Sequence, residues 1–293
     1  MLAPVGLSFV AVLLATSDAD AFCRSTTVSP PADYDATSQG CWAQGKPLYD
    51  PAQCVPYRLL TKDSPVIPNA ILSEKLARAF SRWTASNPTC TPGIGGIELA
   101  PVSAARIVGY TIGQPARNIV GVVPEWTHGD ELFALTTLTF KSDSGEIEDV
   151  DLELNGTARW SFDDATAPDD DKVDLQSVLV HEVGHVLGIA HSDASEAQMN
   201  PIFQLGELAP KALAADDERA ICTVYPNRAQ RLAATGLVPS TPCNLAPGGP
   251  DGSCGDPQIS HGCSSIPIGG DGTTSAGLVL ALGAIAIHRR RTR

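Results

Sequence analysis

The sequence predicts an α+β domain, and three observations carry that expectation. Apolar residues recur at helical spacing over Asn69–Ser86. Several short β-rich runs then follow one another between Ile97 and Asn155 with no helical stretch among them. Finally, two helical segments come in succession, one from Asp174 to about Leu187 and one opening at Asp216-Asp217. Strands that do not alternate with helices argue against a doubly wound sheet.

Val55–Thr61 reads as the first strand. In the first long helix Leu72, Leu76, Ala79, Phe80 and Trp83 form one apolar stripe, so one face should be buried. Short strands are expected at Ile97–Ala100, Arg106–Thr111 and Asn118–Val123, and a stronger one at Phe133–Phe140, where Thr136, Thr137 and Thr139 add β-propensity. Val150, Leu152 and Leu154 alternate with Asp149, Asp151 and Glu153, the pattern of a strand with one wet face. Asp174 is a good N-cap for a helix that is apolar nearly all round (Leu175, Val178, Leu179, Val180, Val183, Val186) and should therefore lie inside the domain. In the last helix Asp216 and Asp217 suit the positive end of the dipole, Ala220, Ile221 and Val224 face inward, and Pro226 ends it.

The chain of 293 residues has room for one substantial domain with appendages, expected at 55–227. A net charge of −13 leaves no broad basic face for phosphates, so nucleic acid is excluded as a partner. The eight cysteines form no C-x-x-C pair, which favours disulfides and an oxidising compartment over thiolate metal sites, with the connectivity left open. Residues 1–21 read as an export signal: an apolar run to Thr16, then Ala19-Asp20-Ala21 before Phe22, although no Lys or Arg precedes the run. Residues 22–54 are polar and cysteine-bearing, and residues 228–270 read as a stalk rich in Pro, Gly, Ser and Cys. At 271–293 a short apolar segment, AGLVLALGAIAI, runs into His288-Arg289-Arg290-Arg291-Thr292-Arg293. With Cys263 and the Gly-rich stretch before it, this end resembles the tripartite C-terminal sorting tags of Gram-negative surface proteins, in particular the myxobacterial kind. That resemblance implies a membrane contact through the C-terminal segment, permanent or transient, with the arginines on the cytoplasmic side.

The chemistry is concentrated in residues 181–191, His-Glu-Val-Gly-His-Val-Leu-Gly-Ile-Ala-His. On a helix His181 and His185 are one turn apart on one face, so two imidazoles can ligate one Zn²⁺ at about 2.0–2.1 Å. Glu182 is rotated away from that coordination position and placed to take a proton from a water on the metal. Continued helix would carry residue 191 away from the metal, whereas Gly188 can adopt φ > 0 and turn the chain so that His191 returns as third ligand. A fourth position then stays open for water, and Glu182 is expected to act as general base and then acid.

The segment DLQSVLVHEVGHVLGIAHS resembles the active-site helix of the metzincin metallopeptidases, and specifically of the matrixins, or matrix-metalloproteinase-like family. Ser192 after the third histidine fits the matrixin form, and Met199 sits where metzincins place their Met-turn. GEIEDVDLELN before the helix and LAADDERAICTVYP after it extend the likeness to about 70–227. The resemblance implies a metzincin (zincin-like) fold with a twisted mixed sheet, an active-site helix and a C-terminal helix, and a zinc endopeptidase acting on protein or peptide substrates as a monomer. It further implies that substrate lies extended beside an edge strand, here Phe133–Phe140, and that Val178, Pro201, Ile202 and Phe203 wall an apolar specificity pocket. Departures from the family are a missing P-R-C-G-x-P-D cysteine switch and too few residues for a family-sized prodomain. With His128 alone in the relevant region, a second, structural zinc is not expected. The acidic residues Asp163-Asp164 and Asp169-Asp170-Asp171 could hold Ca²⁺ or simply be solvated. Two alternatives are an astacin- or adamalysin-like enzyme and a non-catalytic, zinc-containing surface binding module.

Overall fold

The computed structural model describes residues 22–245, except 86, 88–89, 105–106, 109–116, 130–131, 164, 204, 207–211 and 244, together with 279–282 and 286–287. The export segment, the expected strand over Arg106–Thr111 (107 and 108 apart) and most of the stalk and C-terminal tag lie outside the described residues. The elements, in order, are α1 (Ala36–Gln39), β1 (Val55–Leu59), α2 (Asn69–Thr84), β2 (Gly96–Glu98), β3 (Ile119–Val123), β4 (Ala134–Phe140), β5 (Ile147–Asn155), β6 (Trp160–Ser161), β7 (Val173–Asp174), α3 (Leu175–Val186), β8 (Ile202–Phe203), α4 (Ala215–Val224), β9 (Gln230–Ala233), β10 (Gly236–Pro239), β11 (Val279–Leu282) and β12 (Ala286–Ile287). The main sheet has the order β11-β4-β5-β3-β1-β2. Its inner pairings β1–β2, β1–β3 and β3–β5 are parallel, and β4 runs antiparallel to β5. This mixed sheet with a few helices is the α+β, metzincin-like arrangement that the sequence predicts.

Leu72, Leu76, Ala79, Phe80 and Trp83 of α2 are all buried, as the stripe requires. The stripe meets α3, where the Trp83 indole N–H donates to the Val180 carbonyl at 2.7 Å. Every residue of α3 is buried, so the helix runs through the core and not over it. Asp174 caps it by accepting from the Ser177 N–H. The few polar side chains of such a buried helix are tolerated only where they find partners. In α3 those partners define the site described below.

The expectation of a wet face on β5 is overturned for Asp149 and Asp151, both only 2% exposed. Alternation identified the strand correctly, but the acidic side is covered too. Asp149 Oδ1 accepts from the backbone N–H groups of Arg117 and Asn118, and Asp151 Oδ1 accepts from Ile119 N–H. These carboxylates satisfy backbone donors at the entry to β3, a buried role that a hydropathy pattern reads as solvent.

Chain on both sides of residues 55–227 enters the same core. Phe22, Leu48 and Tyr49 are buried with it. Arg24 sends one guanidinium nitrogen to the carbonyls of Leu48 and Leu232, each at 2.7 Å. On the C-terminal side β9 and β10 form an antiparallel hairpin, and the buried Arg231 donates to carbonyls of Ala52 and Gly93. Disulfide Cys54–Cys243 ties the two flanking segments together, Cys23–Cys41 closes the N-terminal one on itself, and Cys90–Cys222 lies within 55–227. They join covalently segments that are up to 189 residues apart.

Candidate metal centre

Helix α3 delivers His181 and His185 on one face, and both rings are buried. The turn beyond it depends on two glycines. At Gly184 a Cβ would lie 2.2 Å from Met199 Sδ and 2.8 Å from Trp83 Cζ2, so only glycine lets the methionine loop and α2 close on the helix. Gly188 has φ +76°, the left-handed conformation expected of it, and redirects the chain after Leu187. His191 then comes back toward the helix, with its Nε2 3.2 Å from His185 Nε2. One ring nitrogen from each of His181, His185 and His191 lies within 4.8 Å of the other two.

Backbone carbonyls set the tautomers. The His181 Nδ1–H donates to Gln198 O at 2.6 Å and the His185 Nδ1–H to Ile189 O at 2.9 Å. The Nε2 lone pair of each ring is therefore directed away from the backbone and available to a metal. Burial lowers the pKa of all three, His181 well below the ordinary range, His185 to about 4 and His191 to about 3, with neighbouring imidazoles adding to the effect at His181 and His191. Neutral imidazoles are the form that ligates metal.

The donor set fits zinc. Tetrahedral Zn–N bonds of about 2.0–2.1 Å place ligand nitrogens roughly 3.3 Å apart, close to the His185–His191 separation. His181 Nε2 and Glu182 Oε1 are buried and without a hydrogen-bond partner among the described residues, as suits groups that bind an ion and a water. Glu182 is fully buried, and desolvation pushes it up to about 8 while the Thr136 hydroxyl pulls the other way.

A second layer holds this arrangement. Met199 is buried and its sulfur packs on Gly184 of α3. Its loop is gripped by Asp217 of α4, whose carboxylate accepts from the N–H groups of Gln198, Met199 and Ala214. Ser192 donates to Asp216 at 2.7 Å. Asp216 and Asp217, expected to serve the helix dipole, are buried anchors of the methionine loop. Thr136, read as β-propensity alone, donates to Glu182 Oε2 at 2.6 Å. Nothing in a linear pattern singles out their bonds to the methionine loop and to Glu182, which span 18 or more positions.

Of the expected pocket residues, Phe203 packs edge-on against His181 with centroids 5.6 Å apart. Val178 is buried one turn before His181, Ile202 is 51% exposed and Pro201 is half-buried. The acidic residues Asp163, Asp169 and Asp171 engage Thr166, Lys172 and Arg159 respectively. His128 faces Glu153 at 3.4 Å.

Residues 129–226 match the family model described as Matrixin. Metalloendoproteinase 4-MMP of Arabidopsis thaliana is 27% identical over 176 residues, 58% of this chain and 45% of that protein. Metalloendoproteinase 5-MMP of the same plant is 31% identical over 157 residues, covering 51% and 38% respectively. Stromelysin-3 of Rattus norvegicus is 36% identical over 70 residues, covering 24% and 14%. The chain spans less than half the length of these relatives. Over the stretch that carries the three histidines, Glu182 and Met199, this chain is thus matrixin-like and similar to plant and animal matrix metalloproteinases.

Proposed function

We propose that the chain is an exported zinc metalloendopeptidase, with His181, His185 and His191 as the metal ligands. The observation that carries this reading is the convergence of three imidazoles, two of them buried and tethered to carbonyls, beside a buried glutamate with one oxygen unpartnered among the described residues. Zinc bound there would supply a Lewis acid that polarises the scissile carbonyl and acidifies water.

The protein's own groups account for the rest. Glu182 Oε1 takes the proton of the attacking water, and the same oxygen returns it to the leaving amine nitrogen. Thr136 holds Oε2, so the carboxylate presents one defined edge to the reaction. The Gln198 and Ile189 carbonyls keep two imidazoles in the ligating tautomer. Val178, Pro201, Ile202 and Phe203 would wall a pocket for an apolar side chain beside the cut. The disulfides support export, and the apolar segment with its arginine cluster supports membrane retention at 271–293.

The test is casein or gelatin hydrolysis by metal-loaded protein with and without o-phenanthroline, alongside Glu182→Gln. Chelator-sensitive digestion, with Glu182→Gln inactive yet still holding stoichiometric zinc, is the expected result. Digestion indifferent to chelator sinks the metal assignment. A zinc-loaded wild type that digests nothing leaves the non-catalytic binding module.

A further inference from the structure

The outer strand of the main sheet is not β4 but β11, contributed by the far C-terminal end. Val279, Leu280, Ala281 and Leu282 pair antiparallel with Thr139, Leu138, Thr137 and Thr136. Ala286 and Ile287 then pair in parallel with Ile202 and Phe203 of β8. Both partners flank the candidate metal centre. Thr136, opposite Leu282, is the residue that bonds Glu182, and Phe203, opposite Ile287, is the residue packed on His181. Leu282 and Ala286 are four positions apart, a reach of at most about 14 Å of extended chain. The two backbone pairings therefore each engage a strand that contributes a residue to the site.

The geometry points to an intramolecular occupant: the chain's own residues 279–282 and 286–287 pair with the strands beside the metal centre and exclude polypeptide substrate from that edge. The inference rests on the metallopeptidase reading above for its consequence, though not for the pairing itself. An exposed sheet edge recruits any extended chain through main-chain hydrogen bonds, so sequence-tolerant capture of substrate and capture of the tail compete for the same N–H and C=O groups of β4. Tethering favours the tail, because a covalently linked segment acts at an effective concentration of the order of mM. The same segment cannot lie on β4 and in a bilayer at once, so membrane retention and occupancy of this edge alternate.

The experiment uses the full chain with Leu280→Pro and Ala281→Pro. Adjacent residues of an antiparallel strand send their N–H groups alternately toward and away from the partner, so proline removes a ladder bond in one of the two variants. Hydrogen exchange at Thr136–Thr139 and at Ile202–Phe203, and hydrolysis of an unstructured peptide, are measured in parallel. The expected result is at least tenfold faster exchange at these amides in one or both variants, with at least tenfold faster hydrolysis that a synthetic peptide of residues 276–289 suppresses competitively. Exchange and hydrolysis equal to wild type in both variants overturn the inference and leave the peptidase reading standing. Faster exchange with no hydrolysis by any zinc-loaded form supports the occupied edge and overturns the peptidase reading. Faster exchange with hydrolysis unchanged overturns the inhibitory role.

Discussion

Thr136 in β4 and Glu182 in α3 are joined by a 2.6 Å hydrogen bond across 46 residues of sequence, with both groups buried. The hydroxyl occupies Oε2 and leaves Oε1 as the free edge of the carboxylate. A hydrogen bond to a charged group contributes about 1.5–3 kcal/mol. Thr136→Val keeps shape and strand propensity but removes the donor, and kcat is expected to fall about 10- to 100-fold with KM and zinc content little changed. Thr136→Ser should restore most of the rate. A fall confined to KM would show that the residue acts through substrate binding instead.

Asp217 acts at one remove from the metal. It accepts from Gln198 N–H and Met199 N–H, while the Gln198 carbonyl accepts from His181. Asp217→Ala leaves three backbone donors, two of them buried, without their acceptor and frees the carbonyl that orients His181. Zinc affinity should fall about 10- to 100-fold, a typical cost for losing such support. Competition with a fluorescent chelator measures it, and an affinity equal to wild type would limit Asp217 to α4 stability.

These two residues show where the sequence was legible and where it stopped. Interactions local in sequence were readable: the 3.6-residue stripe of α2, the all-apolar α3 with its Asp174 cap, and the Gly188 turn with φ +76° that redirects the chain toward His191. Those at long range were not. Asp149 and Asp151 alternate with valine and leucine as solvent-facing residues do, yet they are held inside by β3 backbone donors. Thr136 and Asp217 acquire their roles only when β4, α3 and α4 meet, and hydropathy carries no trace of a hydrogen-bond partner 19 or 46 positions away. The apolar C-terminal run was readable as a segment that avoids water, but not as one that pairs with a sheet edge.

Gly184 and Gly188 should separate packing from chain direction. A Cβ at Gly184 meets Met199 Sδ at 2.2 Å, so Gly184→Ala overpacks the floor of the site and should cost about 1–3 kcal/mol of stability. At Gly188 a Cβ meets the Leu48 carbonyl oxygen at 2.9 Å on a left-handed backbone. Gly188→Ala should cost a similar amount, about 1–3 kcal/mol. It should also weaken zinc binding more than Gly184→Ala does, because His191 follows the turn. Denaturant melts with and without zinc report both quantities. Equal zinc-dependent stabilisation of the two variants would refute the distinction.

Asp50 gives the fold a pH dependence away from the metal centre. Its N–H donates to the Tyr225 hydroxyl, which donates to the Leu187 carbonyl at the end of α3, and Asp50 Oδ1 accepts from Ala52 N–H. Burial pushes this carboxyl up to about 7, against the opposing pull of the Ala52 N–H and the Arg231 guanidinium. Between the unfolded value near 3.8 and the folded value near 7, the native state holds a proton that the unfolded chain has lost. This group's contribution to stability therefore falls as pH rises through that window and is level above it. Asp50→Asn keeps an acceptor for Ala52 N–H and removes the titration. The stability of Asp50→Asn relative to wild type should accordingly rise from pH 4 to pH 7 by at least about 1.4 kcal/mol, the equivalent of one pKa unit, and then stay constant. Denaturant unfolding of both proteins at pH 4.5, 6 and 8 measures the difference, and a difference independent of pH would show that Asp50 is ionised throughout, held by Arg231 inside the fold.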